Sequence, residues 1–263
     1  MNTLTWTGAS MVTLLSAMGC GGAGPSDTNP SGEAATSPAD TGSAQPMVSI
    51  QGFVHASDAS ALSGATVCPL VVGTPKNAAS CQTSGSDGSF TLAAPANEWV
   101  AVTFDKPGFV STVRAVQTQT GAMTLPGTEN VMLPAVEPLS IAGVPADASM
   151  GQVAFSVMGP TGQNGVAAAV TLGGTGSLPS AIYVDSDGSP AAGATSGTQG
   201  LFVNLPPGLY SLHFSQASVT CAPLGLYGWP MTMYQSAGEA TVVVPVMAGY
   251  VTAPVAASCV STQ

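Results

Sequence analysis

Apolar side chains in this chain recur at every second residue, in runs too short for anything but strands. Val48, Ile50 and Val54 fall on one face around Gly52. Residues 65–68 form another short run. Phe90, Leu92 and Ala94 alternate, as do Val100, Val102 and Phe104, and residues 113–118 and 130–133 follow. With one more strand in the less regular stretch 69–83, these make about seven. Turn chemistry separates them: Asp58-Ala59-Ser60, Ser63-Gly64, Asp87-Gly88, Lys106-Pro107-Gly108 and Pro126-Gly127. No stretch combines a cap with helical spacing. Short strands at this interval predict an antiparallel β-sandwich.

The pattern pauses at residues 134–145, which read as a linker, with a strand at 139–142 as its one periodic element. It resumes at 153–157, 166–172, 181–184, 200–203, 210–214, 240–247 and 250–253. The expected fold class is therefore all-β, with two consecutive antiparallel sandwiches of transthyretin-like or Ig-like type. The expected division is a sandwich at 47–135 and a second, divergent one at 138–263. Each is expected to hold its own core. The sequence does not decide whether they share one topology.

Motifs in the first half carry a family resemblance. Gly52-Phe53-Val54, then Leu62-Ser63-Gly64-Ala65-Thr66-Val67, then residues 83–90 with Asp87-Gly88-Ser89-Phe90, then Lys106-Pro107-Gly108-Phe109-Val110 resemble a carboxypeptidase regulatory-like domain. The match covers about residues 48–133. The resemblance implies a transthyretin-like sandwich with a structural or binding role and no peptidase activity. Each motif has a scaffold reading: Asp87-Gly88 as a hairpin turn, Phe90 as a core plug, Pro107-Gly108 as a tight turn. In the second half, Phe202-Val203-Asn204-Leu205-Pro206-Pro207-Gly208-Leu209-Tyr210 resembles a strand-turn-strand hairpin of the same superfamily.

The beginning of the chain reads differently. Residues 11–18 are an apolar run of signal-peptide length, far short of the roughly 20 residues a spanning helix needs. The run ends at Gly19-Cys20 and resembles a bacterial lipoprotein signal. That resemblance implies cleavage after Gly19, a lipid on the Cys20 thiol and an outer-membrane lipoprotein of the cell envelope. Residues 20–46 are rich in Gly, Ser, Pro, Ala and Thr and read as a disordered tether. As a coil its ends would lie ~30 Å apart.

Charge narrows the partners. Only 6% of the 263 residues are charged, and the net charge is -10. Lys76, Lys106 and Arg114 are the only Lys or Arg residues. Three cations cannot line a phosphate backbone, so nucleic acid is excluded as a partner. The expected partners are a membrane, through the N-terminal lipid, and a glycan or an envelope protein. No cofactor is expected. Beyond Cys20 the cysteines are Cys68, Cys81, Cys221 and Cys259. Four cysteines allow three pairings. Local pairing, Cys68 with Cys81 and Cys221 with Cys259, keeps each bridge inside one sandwich and is the expectation for an oxidising compartment. No pair has the C-x-x-C spacing of zinc or thioredoxin-type sites.

Few residues invite chemistry. His55 and Asp58 have the spacing of a His-x-x-Glu zinc motif but the wrong acid. His213 lies alone inside a strand, where a histidine is most often satisfied structurally. No Gly-x-Ser-x-Gly elbow occurs, so no residue is assigned as catalytic. Asp185-Ser186-Asp187-Gly188 resembles the opening of a calcium loop, with Asp185 and Asp187 as ligands, against the simpler reading of a plain turn. Tyr227, Trp229 and Tyr234 cluster in a chain poor in aromatics. They read either as a stacking platform for a sugar ring or as a cap on the sandwich end. Trp99 reads as core. The expectation is an exported, lipid-anchored envelope protein with a structural or binding role. The alternatives are a glycan-binding lipoprotein and, third, an enzyme accessory subunit.

Overall fold

A computed structural model describes residues 45–56, 58–71, 80–125, 131–132, 144–159, 166–174, 177–185, 189–217, 219–223 and 239–261. Every element it describes, apart from turns, is a strand. The first half carries β1 (Met47–Phe53), β2 (His55–Ala56), β3 (Thr66–Val71), β4 (Gln82–Thr83), β5 (Ser89–Pro95), β6 (Trp99–Asp105), β7 (Thr112–Gln117), β8 (Met123–Thr124) and β9 (Val131–Met132). The second carries β10 (Gly151–Met158), β11 (Ala169–Gly173), β12 (Ile182–Tyr183), β13 (Gln199–Leu205), β14 (Gly208–Ser215), β15 (Val219–Pro223), β16 (Glu239–Val246) and β17 (Val251–Ser261).

Two three-stranded sheets flank one large one, and β2 and β9 form a separate two-stranded sheet. The order β5-β1-β8 makes the outer sheet of the first half, and β11-β14-β16 that of the second. Between them runs a nine-stranded sheet, β12-β13-β10-β17-β7-β6-β3-β4, with β15 also paired to β17. Strands of both halves thus share one sheet. The link is the start of β17, where Val251 lies beside Thr112 and Thr252 beside Val113 in parallel register.

Alternation decides where the cores go. Ile50, Leu92, Val67, Val100, Val102, Phe104 and Val116 form one buried cluster. Val153, Phe155, Phe202, Leu212, Phe214, Val244 and Ala115 belong to another. Val116 and Ala115 are neighbours on β7, and successive residues of a strand point to opposite faces. The two cores therefore lie on opposite faces of the same sheet. Tyr250 and Met247 pack over Leu70, Ala101 and Val113, on the face the first core does not use.

Pairing is mixed. The pairs β1–β8, β10–β17, β17–β7 and β2–β9 are parallel. Parallel neighbours arise because connections pass from one sheet to the other instead of folding back. Two expected hairpins are corrected on this ground. Asp87-Gly88 is a tight turn, closed by Gly88 N–H to Gly85 C=O at 3.0 Å. It leads from β4, which pairs with β3, to β5, which pairs with β1. Gly88 has φ 78°, and a side chain there would overlap the Val54 carbonyl. Residues 206–207 likewise join β13 and β14, which belong to different sheets. Lys106-Pro107-Gly108 is a true hairpin turn between β6 and β7, with Phe109 N–H on Lys106 C=O and Gly108 at φ 82°.

Several readings differ from the sequence. β15 has no counterpart among the expected strands. The strand expected at 250–253 runs on to Ser261. Pro254 would be read as a stop, but the register against β10 shifts between Val153 and Phe155. There two residues of β17 face one of β10, so the missing N–H is accommodated at a bulge. Trp99, read as core, is only half-buried at the start of β6. The expected linker lies outside the described residues apart from 144–145, and the two-sandwich boundaries stay a proposal.

Candidate functional site

A polar array that holds a histidine lies on β14. This strand alternates Tyr210, Leu212 and Phe214 into the second core, leaving Ser211 and His213 on the outer face. Two residues apart on that face, Ser211 Oγ and His213 Nε2 meet at 3.1 Å. Antiparallel register sets Thr241 of β16 opposite His213, and its Oγ1 lies 2.9 Å from Nδ1. Gly173 of β11 stands opposite Ser211, and any side chain there would collide with both Ser211 Oγ and the His213 ring. The order hydroxyl, imidazole, hydroxyl is that of a nucleophile, a base and an orienting group. A hydroxyl donates or accepts, so the pair satisfies either tautomer of the ring. All three side chains are half-buried on a sheet face. Among the described residues no carboxylate completes the array, which reads as a satisfied surface histidine.

The other histidine is less settled. His55 on β2 stacks on Phe53, with ring centroids 6.2 Å apart. Its Nδ1 is buried without a hydrogen-bond partner. Asp58 does not join it. The Asp58 Oδ1 accepts instead from Ser60 N–H at 2.9 Å and from Ser60 Oγ at 2.6 Å.

That small motif repeats. Asp87 holds Ser89, and Asp147 holds Ser149, by the same pair of bonds. In all three turns the serine hydroxyl first, and then its backbone N–H, keeps the carboxyl below its usual pKa. Sequence reading finds the turns at 58 and 87 but not the shared Asp-x-Ser pattern, which is there to be read. Tyr183 is the opposite case. Burial raises its pKa, and its hydroxyl accepts from Val170 N–H at 2.8 Å.

Both cysteine bridges are present: Cys68–Cys81 and Cys221–Cys259. Asp185 is exposed, and its N–H donates to the Ser189 carbonyl at 2.8 Å. Its expected companion Asp187 lies outside the described residues, as do Cys20, Tyr227, Trp229 and Tyr234. Among the described residues no group of three or more His, Cys, Asp or Glu side chains gathers as a metal would require.

Where the halves meet, one carboxylate links them. Asp105, the last residue of β6, accepts from Ser111 Oγ at 2.7 Å and from Tyr250 Oη at 3.0 Å. Val251 N–H donates to Ser111 C=O at 2.9 Å. Arg114 and Gln152 are both nearly fully buried nearby in the sheet, and the Gln152 Oε1 has no partner.

No known family matches the chain, and no curated protein does. Among solved structures, the Bacillus anthracis TIE protein aligns over 81% of this chain at 10% identity, with a TM-score of 0.27. The chain spans 34% of that protein's length. A minor pilin of Streptococcus agalactiae aligns over 82% of this chain and 97% of its own, at 10% identity and a TM-score of 0.23. The shaft pilin SpaA of Lactobacillus rhamnosus GG aligns over 83% and 99%, at 8% identity and a TM-score of 0.24. Scores this low carry no argument about function.

Proposed function

We propose that this chain is an exported cell-envelope protein, held to a membrane by a lipid on Cys20, with a structural or binding role. The observation that carries the reading is the pair of cystine bridges, Cys68–Cys81 and Cys221–Cys259. Such bridges persist in oxidising compartments and are rare in reducing ones. The shared sheet supports the structural part of the reading. A scaffold must hold its surfaces in fixed relation, and here both cores rest on one large sheet and meet back to back at β7. The motifs that resemble a carboxypeptidase regulatory-like domain point the same way, since all of them serve turns and core. The Gly19-Cys20 junction after an apolar run supports the anchor.

Metabolic labelling with a fatty-acid probe, followed by membrane fractionation, tests the reading. The native chain should take up the probe and sediment with membranes, and Cys20→Ala should do neither. Equal membrane retention of the variant would overturn the anchor. Free thiols at Cys68 or Cys221 in the cell-derived protein would overturn export.

A further inference from the structure

Most sheet edges in this molecule are blunt. β4, β8 and β12 are two residues long. β11 is engaged at its start: the preceding Ala168 exchanges both backbone bonds with Gly197, and Val170 N–H meets the Tyr183 hydroxyl. The eight-residue edge strand β16 contains Pro245, which lacks an N–H, and its carbonyl takes the Thr252 hydroxyl at 2.6 Å. Short strands, prolines and capped groups are the usual protections against strand addition.

β5 has none of them along its middle. It is seven residues long and ends the order β5-β1-β8. Its register with β1 runs unbroken from Met47 opposite Pro95 to Phe53 opposite Ser89, without a bulge. Neither strand carries a charge. Ala96 N–H bonds to Pro46 C=O, and Val54 N–H to Gly88 C=O. In an antiparallel ladder these bonds fix the parity: even-numbered residues of β5 bond to β1, and odd-numbered ones point outward. The ends of the open side are closed. Ser89 donates its N–H to Asp87, and its C=O accepts from Gly85 N–H. Pro95 has no N–H, and its C=O takes the Thr118 hydroxyl. What remains is a window of four groups, the N–H and C=O of Thr91 and of Ala93. A groove of about 450 Å³ follows it, lined by Thr91, Leu92 and Ala93, by Met47 and Ser49, and by Gln82.

We propose that this edge pairs with the same edge of a second copy. A two-fold axis at Leu92 sets Thr91 opposite Ala93 of the other copy, and Ala93 opposite its Thr91. Each such pair exchanges two N–H···O bonds, so the four groups of each window are all satisfied. The window is thus complementary to itself, as an isologous contact requires. Charge does not bar this occupant at the edge itself. The chain carries a net charge of -10, which opposes association over most of its surface, yet no charged residue occurs in β1 or β5. Met47, 58% exposed beside the groove, gains cover. The product is one sheet continuous through both copies, and the small contact makes the dimer weak and concentration-dependent.

Sedimentation equilibrium on the full chain bearing Cys20→Ala, which removes any lipid-driven association, tests this. The chain should be a reversible dimer, and Ala93→Pro should weaken it by about tenfold or more, because two of the four bonds need that N–H. The Ala93 N–H does not bond to β1, so the ladder tolerates proline there. Thr91→Lys, which keeps the whole backbone and adds charge to the edge, should weaken the dimer as well. Hydrogen exchange supplies a readout independent of variants: the Thr91 and Ala93 amides should slow as concentration rises, while other exposed amides do not. A monomer at every concentration, a dimer indifferent to both substitutions, or concentration-independent exchange at Thr91 and Ala93 would each overturn the proposal. Protection of those amides by the peptide Ser-Phe-Thr-Leu-Ala-Ala-Pro in a chain that stays monomeric would overturn it too, assigning the edge to a foreign strand.

Discussion

The two cores solve one problem with different materials. The first is almost entirely aliphatic, with a single edge-to-face ring pair, Phe90 against Phe104 at 5.7 Å. The second is built around Phe155, which meets Tyr183, Phe202 and Phe214 at 5.8, 5.6 and 6.2 Å. Their bridges differ as well. Cys221 and Cys259 lie inside the second core, in directly opposed register on β15 and β17. Cys68 lies on the face of the sheet away from the first core, and Cys81 is only half-buried. The first half closes on its own strands, with β1 between β5 and β8 and β3 between β6 and β4. The second depends on β17, which sits between β10 and β7 and also holds β15.

Removing β17 should break the comparison most severely. A chain ending at Gly249 should keep the first core and lose the second altogether, since β17 is the central strand on which β10 and β15 pair. A thermal melt with near-ultraviolet circular dichroism would check it. Loss of both cores together would show that the shared sheet makes a single cooperative unit, and the boundary near 135–138 would fall.

Phe155→Ala should come next, at about 3–5 kcal/mol, the cost of emptying a buried phenylalanine site. Phe90→Ala, with one ring partner instead of three, should fall at the lower end of that range. Denaturant midpoints of the two variants read the difference directly.

Replacing both cysteines of a bridge by alanine should cost about 4 kcal/mol at Cys221–Cys259 and about 3 kcal/mol at Cys68–Cys81, from closed loops of 38 and 13 residues. Both Cys221 and Cys259 are fully buried, whereas only Cys68 is in the other bridge, so the cavity cost is larger at Cys221–Cys259. Equal midpoints for the two double variants would contradict the placement of the bridges.

The smallest effect concerns acid. Asp58, Asp87 and Asp147 have carboxyls held below the ordinary pKa of about 3.9. A carboxylate with a depressed folded-state pKa contributes stability that is present above its unfolded value and lost as pH falls through the folded one. All three are exposed, so the effect is slight. Stability should be flat above about pH 5 and decline below about pH 4, and Asp147→Asn should flatten that decline. Melting temperatures from pH 2 to pH 7 give the readout.

Alternation makes the first half legible. Val100, Val102 and Phe104 announce both a strand and its buried face, and all three lie in the first core. The Pro107-Gly108 turn is equally plain, because only glycine suits its φ of 82°. What the sequence conceals is partnership. A tight turn at Asp87-Gly88 looks the same whether the chain folds back or crosses to another sheet. β15 is five residues with a cysteine at its centre, too short to show a period. β17 hides behind Pro254, whose missing N–H signals a stop unless the neighbouring strand supplies a bulge. At the candidate array, Ser211 and His213 are legible as one face of β14. Thr241 is not, because its place beside His213 follows from the β14–β16 register.

The position of β17 also sets an order of events. It follows every other strand in the chain, yet it stands in the middle of the large sheet. In a chain delivered across a membrane with its beginning first, the first half can assemble as soon as residues up to Met132 are through. Its β7 edge at Thr112 and Val113 then stays open until Val251 and Thr252 arrive. For that interval the molecule is an incomplete sheet with an exposed strand edge and an aromatic core still without its wall. On the proposed export route, a half-delivered chain would be the vulnerable species, and slowing delivery after Val246 would lengthen its exposure to aggregation more than slowing it anywhere in the first half.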